Sequence, residues 1–426
     1  MSHAPLLLQL VIILGTARVL GLLLRWFGQP PVIGEMAAGL VLGPIVFGAW
    51  FPELHAQVFE KSSLPALAGL SQLGLVLFMF VVGAELRMPT GVRRQMIAAS
   101  WIGILSVLVP MALGLAISPL LWPALAPQGV AFWPFALYMA AAMSITAFPI
   151  MARILKERRM THTTIGRLSL TGAAVADVFA WIMLAVVVIL ASAKSDWTRL
   201  WTMLAGVGVL AFVVFFVLKP VFAKLLERHA PDGKPNGAML ATLMVGMFAC
   251  AYATNALGVH EVFGAFLFGA CLPRDNRLLE ALMARIETLA IVVLMPIFFA
   301  LAGLNTTRDA FVGAGLGAML LILGAAVLGK IIGGSVGARI SGQGWRTSLA
   351  VGALMNARAL MELIVIKVGL DAGIIGPPLF TMLMVMAILT TVMTGPLLTL
   401  FAGRQVKEDI ALGGGSAGDR VVEKAA

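Results

Sequence analysis

Residues 170–188 read LTGAAVADVFAWIMLAVVV, nineteen residues in which Asp177 is the only charge. As a helix this stretch is about 28 Å long, close to the roughly 30 Å hydrocarbon core of a bilayer. A carboxylate near the middle of such a span is costly in lipid. It therefore faces the protein interior or a water-filled cavity, and it marks an ion or proton pathway. Burial favours the neutral carboxyl, whereas a bound cation or a neighbouring lysine favours the carboxylate, so a proton and a metal ion compete for one group. The competing structural role is a permanent pair with a basic residue.

The rest of the chain has the same character. Of 426 residues 60% are hydrophobic and 12% charged, with a mean hydropathy of +0.99; soluble chains carry about 25% charged residues. Gly 45 and Met 24 suit close helix packing in lipid. Cys250 and Cys271 both fall in apolar runs and imply neither a disulfide framework nor a metal cluster. The first apolar run follows no basic n-region and precedes no small-residue cleavage site, so it is expected to be retained.

A rule of roughly 20 apolar residues per span gives thirteen segments: about 5–24, 32–51, 64–86, 96–118, 132–154, 166–192, 200–224, 237–257, 260–272, 285–304, 310–338, 347–369 and 378–402. The ninth is short, as a tilted or partly re-entrant segment would be. With the N-terminus outside, twenty-two of the thirty basic residues fall in cytoplasmic loops and the C-terminal tail. The outer loops hold only Lys61, Lys194, Arg199 and Arg308, and the spans hold Arg18, Lys330, Arg358 and Lys367. That is the positive-inside pattern, so the net charge of +10 marks cytoplasmic loops and no nucleic-acid face. Residues 403–426 read as a short disordered cytoplasmic tail.

Two stretches recur. VIGEMAAGLVLG (32–43) aligns with VFGAFLFGA (262–270), matching Val32, Gly34 and Gly39 with Val262, Gly264 and Gly269. LFMFVVGAE (77–85) aligns with IFFALAGLN (297–305), matching Phe78 and Gly83 with Phe298 and Gly303. The copies lie seven spans apart, an odd offset, so the second has inverted topology, as in secondary transporters.

Polar residues gather in three further spans. Lys330 sits in LGAAVLGKIIGGSVG (323–337), where it either pairs with an acid or stays neutral; the glycines from Gly329 to Gly337 serve helix packing. Segment 12 holds Asn356, Arg358 and Glu362, the last two four apart and so on one helical face. Such polarity suggests a broken helix lining a cavity. Segment 5 has a matching irregularity in AMSITAFPIMARIL (142–155): Pro149 cannot continue helical bonding, and Ser144 and Thr146 can satisfy freed backbone groups or touch an ion. Glu35 and Glu85 lie near span ends, and Lys367 can snorkel outward. GAAVLGKI (324–331) lacks the Ser or Thr of a phosphate-binding loop and lies within a span. Gly414–Gly418 matches a nucleophile elbow in letters only. No zinc-ligand spacing or catalytic constellation is visible, so no cofactor or enzymatic activity is expected.

Five motifs together resemble the monovalent cation:proton antiporter superfamily, in the branch of Kef-type potassium transporters and plant cation/proton exchangers. They are PPVIGEMAAGLVLGP (30–44), LFMFVVGAELR (77–87), SITAFPIMARIL (144–155), AAVADVFAW (173–181) and MNARALMELIVI (355–366), and the resemblance covers about 5–402. It implies an all-α polytopic membrane protein of about 13 transmembrane helices, with two inverted five-helix repeats and crossed broken helices, here segments 5 and 12. The division would be an N-terminal helix (1–31), a first repeat (32–192), linking helices (193–259), a second repeat (260–402) and the tail (403–426). The resemblance makes Asp177 the ion-binding, proton-carrying aspartate. It makes Lys330 the lysine that some members carry on the opposing repeat, and Arg358 the basic residue of the second broken helix. It further implies a homodimer in the cell membrane, moving its core like an elevator. Ser144, Thr146 and Asn356 are the expected lining of the ion site, with Glu362 compensating charge.

One departure is Ala176, where many members place Asp, Asn or Gln; a single central carboxylate predicts electroneutral exchange of one potassium or sodium ion for one proton. Several Kef-type relatives carry a cytoplasmic nucleotide-binding domain, and gating of that kind is not expected here. The alternatives are a cation channel or an ion-coupled symporter on a similar scaffold, an intramembrane enzyme, and a receptor-like membrane protein.

Overall fold

A computed structural model describes residues 6–85, 93–158, 160–161, 163–192, 197–229, 235–273, 276–313 and 315–402. Several residues used in the sequence reading lie outside this description. They are Arg87, Arg159, Lys194, Lys234, Arg274 and everything after 402, with the side chains of Glu85, Arg93, Arg94, Pro149, Arg153, Lys156 and Arg199.

The chain runs through α1 (Leu6–Trp26), α2 (Pro31–Leu42), the short α3 (Phe47–Trp50) and α4 (Pro52–Val58), α5 (Leu64–Glu85) and α6 (Arg93–Leu125). A broken pair follows, α7 (Phe132–Ser144) and α8 (Phe148–Glu157), then α9 (Thr164–Ser192). α10 (Trp197–Phe212) continues through a π-helical stretch into α11 (Lys219–His229). Next come α12 (Gly237–Ala256), α13 (Glu261–Cys271), and α14 (Asn276–Leu282), which winds through two π-helical stretches into α15 (Met295–Leu304). Last are α16 (Gly315–Ile340), the second broken pair α17 (Trp345–Met355) and α18 (Ala359–Asp371), and α19 (Pro377–Ala402).

Among the described residues nine helices are long and apolar enough to cross a membrane. The other four predicted segments fall on α7–α8, α9, α13 and α17–α18. At 11 residues, α13 is only about 16 Å long, which bears out the shortness of the ninth segment.

The helices form two packed groups. One gathers α1, α2, α5, α12, α13 and α15; the other gathers α6 to α9 and α16 to α19, with α6 lying along α16. Gly329, Gly333 and Gly337 form the stripe of α16 against which α6 lies: a β-carbon at each would strike Pro110, Leu105 and Ile102 respectively. The glycines expected to serve packing therefore do so.

The internal repeat is visible in the same way. A β-carbon on Gly39 would strike the carbonyl of Phe299, and one on Gly303 the carbonyl of Gly39, so α2 and α15 cross in backbone contact. Gly83 and Gly269 bring α5 and α13 equally close, through the carbonyls of Phe266 and Phe80. Exchanging Gly39 for Gly269 and Gly83 for Gly303, as the sequence repeat does, turns one crossing into the other. The equivalence reaches one helix further on each side. Gly34 meets the backbone of α1 at Gly21, and its counterpart Gly264 meets the backbone of α12 at Cys250.

Gly303→Ala is expected to cost at least about 1–3 kcal/mol, since neither backbone can yield without shifting a helix. Gly15 has open space around its Cα, and Gly15→Ala is the neutral control. Thermal unfolding in detergent checks this; equal melting of wild type and Gly303→Ala would contradict the crossing.

Candidate functional site

The two broken helices cross at their breaks, where the amide of Ala147 donates to the carbonyl of Ala357 at 2.9 Å. The first break spans Ile145–Ala147, just before the expected Pro149, whose backbone lies in the first turn of α8. A proline is tolerated there because first-turn amides have no helical partner. The second break spans Asn356–Arg358. Each break leaves a helix C-terminus with free carbonyls and a helix N-terminus with free amides, which in an apolar interior need partners.

Two bases supply the carbonyls of α7. Lys330, fully buried in α16, donates to the carbonyl of Ser106 at 2.9 Å, the carbonyl of Ser144 at 2.5 Å and Oγ1 of Thr146 at 2.6 Å. All three ammonium protons are thereby used. Arg358, also fully buried, donates through Nη2 to the carbonyl of Met143 at 2.7 Å and through Nη1 to that of Ala142 at 3.2 Å. Positive charge at a helix C-terminus opposes the negative end of the helix dipole. Nη1 of Arg358 also lies 3.3 Å from Glu362, one turn along α18, as the four-residue spacing predicts.

The free amides meet acceptors from α9 and α19. Asp177, 3% exposed on α9, accepts from the amide of Phe148 at the start of α8, and Lys330 is close enough to act on its charge. In the matching place, Oγ1 of Thr391 on α19 accepts from the amide of Arg358 at 3.2 Å. The carbonyl of Thr390 accepts from the side-chain amide of Asn356 at 3.0 Å. The two caps thus differ in one respect: a carboxylate serves one helix and a hydroxyl the other.

The structure brings all seven predicted site residues to the crossing. Ser144 Oγ donates to the carbonyl of Ala141 at 2.6 Å, and Thr146 Oγ1 already accepts from Lys330, so each hydroxyl oxygen retains limited capacity. Asn356 Oδ1 and Glu362 Oε1 are buried, with no hydrogen-bond partner among the described residues. The sequence reading missed the carbonyl of Ser106, the amide of Phe148 and the Thr390–Thr391 pair. The threonine pair carries a signal, a polar doublet inside the apolar run AILTTVMTG (387–395); the backbone groups carry none. Elsewhere, Lys367 lies near the end of α18 paired with Asp371, both partly exposed, in keeping with outward snorkelling.

Comparison with known proteins adds the following. The family described as "Sodium/hydrogen exchanger, transmembrane" matches residues 11–402. The Na(+)/H(+) antiporter NhaS4 of Synechocystis is 37% identical over 92% of this chain and 96% of its own length. The K(+)/H(+) antiporter 1 of Saccharomyces cerevisiae is 34% identical over 94% of this chain and 47% of its own. Cation/H(+) antiporter 17 of Arabidopsis thaliana is 38% identical over 93% and 48% respectively. The chain therefore spans nearly all of the cyanobacterial relative and about half of the yeast and plant ones. The solved structure of the sodium proton antiporter MjNhaP1 from Methanocaldococcus jannaschii superposes with a TM-score of 0.60, covering 94% of this chain and 98% of that one. At 16% identity this likeness speaks for the fold.

Proposed function

The chain belongs to the transmembrane sodium/hydrogen exchanger family, and from that premise we propose that it exchanges a monovalent cation, sodium or potassium, for protons across the cell membrane. The observation that carries this reading is Asp177: a buried carboxylate at the crossing of two broken helices, with no base within hydrogen-bonding distance among the described residues. It holds one cargo at a time. As a carboxylate it accepts from the Phe148 amide and attracts a cation; once protonated it releases the cation. Asn356, whose Oδ1 has no partner among the described residues, and the hydroxyl oxygens of Ser144 and Thr146 line the ion's place. Lys330, Arg358 and Glu362 hold the broken ends in register and balance charge.

With all four ionised, the two acids and two bases of the crossing sum to zero. A bound cation and a bound proton then each add one positive charge, so the two loaded states are electrically equal. One-for-one exchange is electroneutral on this account. The repeats are residues 32–192 and 260–402, and the group containing α6 to α9 and α16 to α19 moves past the other in a homodimer embedded in lipid. The N-terminus faces outward and the C-terminus faces the cytoplasm.

The test is dissipation of a pH gradient in proteoliposomes, with sodium and potassium supplied separately. Wild type is expected to respond to at least one of them; silence with both would refute exchange. The initial rate is expected to be unchanged under an imposed potential of about 100 mV, which adds roughly 2.3 kcal/mol of driving force per net charge moved. Clear voltage dependence would refute the one-for-one stoichiometry.

A further inference from the structure

A cavity of about 300 Å³ opens between the two helix groups at the end of the bundle where α1 and α8 finish, and reaches inward to Thr391, which caps the second break. Its lining includes Arg25 and Gln29 from the α1–α2 connection, Arg158 just beyond α8, and Thr391 and Gly395 of α19. Among the described residues neither arginine pairs with a carboxylate and no acidic side chain lines the cavity. Arg158 is held in place: Nη1 donates to Oγ1 of Thr399 at 2.8 Å, and Nη2 lies 3.1 Å from where a β-carbon on Gly395 would sit. Gln29 is fixed likewise, its side-chain amide donating to the carbonyl of Val392 at 3.3 Å.

Two guanidinium groups around one cavity repel each other and discourage entry of a cation. The same arrangement suits an anion with several oxygens, which guanidinium forks bind through paired charge-assisted bonds. The volume admits a phosphate group with part of whatever bears it. We propose that this cavity is a binding site for a phosphate-bearing anion, either a phospholipid headgroup or a soluble phosphate, held between Arg25 of one helix group and Arg158 of the other. Such a ligand touches both groups and ties them in the arrangement seen here. The phosphate contacts are assigned to Arg25 and Arg158, neither of which takes part in the exchange chemistry proposed above.

The test is calorimetric titration of the purified full chain in neutral detergent with two probes, inorganic pyrophosphate and dioctanoyl phosphatidate. The wild type is expected to bind at least one: pyrophosphate alone identifies a soluble ligand, phosphatidate alone a lipid, and both a site that reads the phosphate itself. Arg25→Gln and Arg158→Gln are each expected to weaken binding by at least about tenfold, the loss of a hydrogen-bonded charge. Gly395→Ala, which keeps every charge but displaces the Arg158 guanidinium, is expected to weaken binding several-fold, unlike a diffuse electrostatic attraction. Melting without probe confirms that each variant is folded. Binding of neither probe by wild type, or undiminished binding in both arginine variants, would overturn the proposal. Because the readout is binding, its failure is distinct from a failure of cation exchange.

Discussion

Asp177→Asn is expected to reduce cation-driven proton movement in proteoliposomes to the level of protein-free vesicles while leaving the protein folded. The amide has nearly the shape of the carboxylate, and its oxygen still accepts from the Phe148 amide, so the start of α8 remains capped. What disappears is the charge, and with it both the attraction for a cation and the capacity to take up a proton. A buried carboxylate with no base in hydrogen-bonding distance carries a desolvation cost that the neutral amide does not. Lys330 keeps Glu362 close enough to act on its charge, and its three protons remain bonded to Ser106, Ser144 and Thr146. The melting temperature is therefore expected to stay close to that of wild type. A folded variant that exchanges at the wild-type rate would remove Asp177 from the mechanism.

Arg358→Met is expected to produce the largest loss of stability of any single change at the crossing, about 3–5 kcal/mol, the usual result of breaking a buried ion pair. The substitution strands Glu362, whose Oε1 already lacks a partner among the described residues, and frees the carbonyls of Ala142 and Met143. Arg358→Met combined with Glu362→Met removes the stranded charge, and the double variant is expected to recover much of the loss. The coupling is read by thermal unfolding of the two single variants and the double. A double variant destabilised by the sum of the two singles would show that Arg358 and Glu362 do not compensate each other. Function is expected to be impaired in both, because the end of α7 loses the charge that neutralises its carbonyls.

The membrane architecture was legible because lipid imposes a length and a composition on every span. The thirteen apolar runs, including the short ninth, correspond to helices or broken helices. Glycine repeats announced the two crossings because only a missing side chain allows backbones so close. Asp177, Lys330 and Arg358 stood out for a related reason: a charge in an apolar run is too costly to be incidental.

What stayed hidden is mostly backbone. Sequence left Lys330 either paired with an acid or neutral, whereas its three contacts are two carbonyls and a hydroxyl. Carbonyls have no letter in the sequence, so the capping of α7 could not be read from it. The placement of the first break was similarly obscured, because Pro149 drew attention to α8 and the chain opens four residues earlier, at Ile145. The matching of α1 with α12 was invisible for another reason. Gly34 and Gly264 correspond, but the surfaces they meet, at Gly21 and Cys250, are backbone and place no demand on residue type.

The most direct test of competition at Asp177 is the proton release that accompanies cation binding by purified protein in weakly buffered solution. Wild type is expected to release protons when the transported cation is added, to release fewer as the starting pH is raised above the range in which Asp177 holds its proton, and to bind the cation more tightly there. Asp177→Asn is expected to release none. Cation binding by wild type without proton release at any pH, or equal release by Asp177→Asn, would contradict the account.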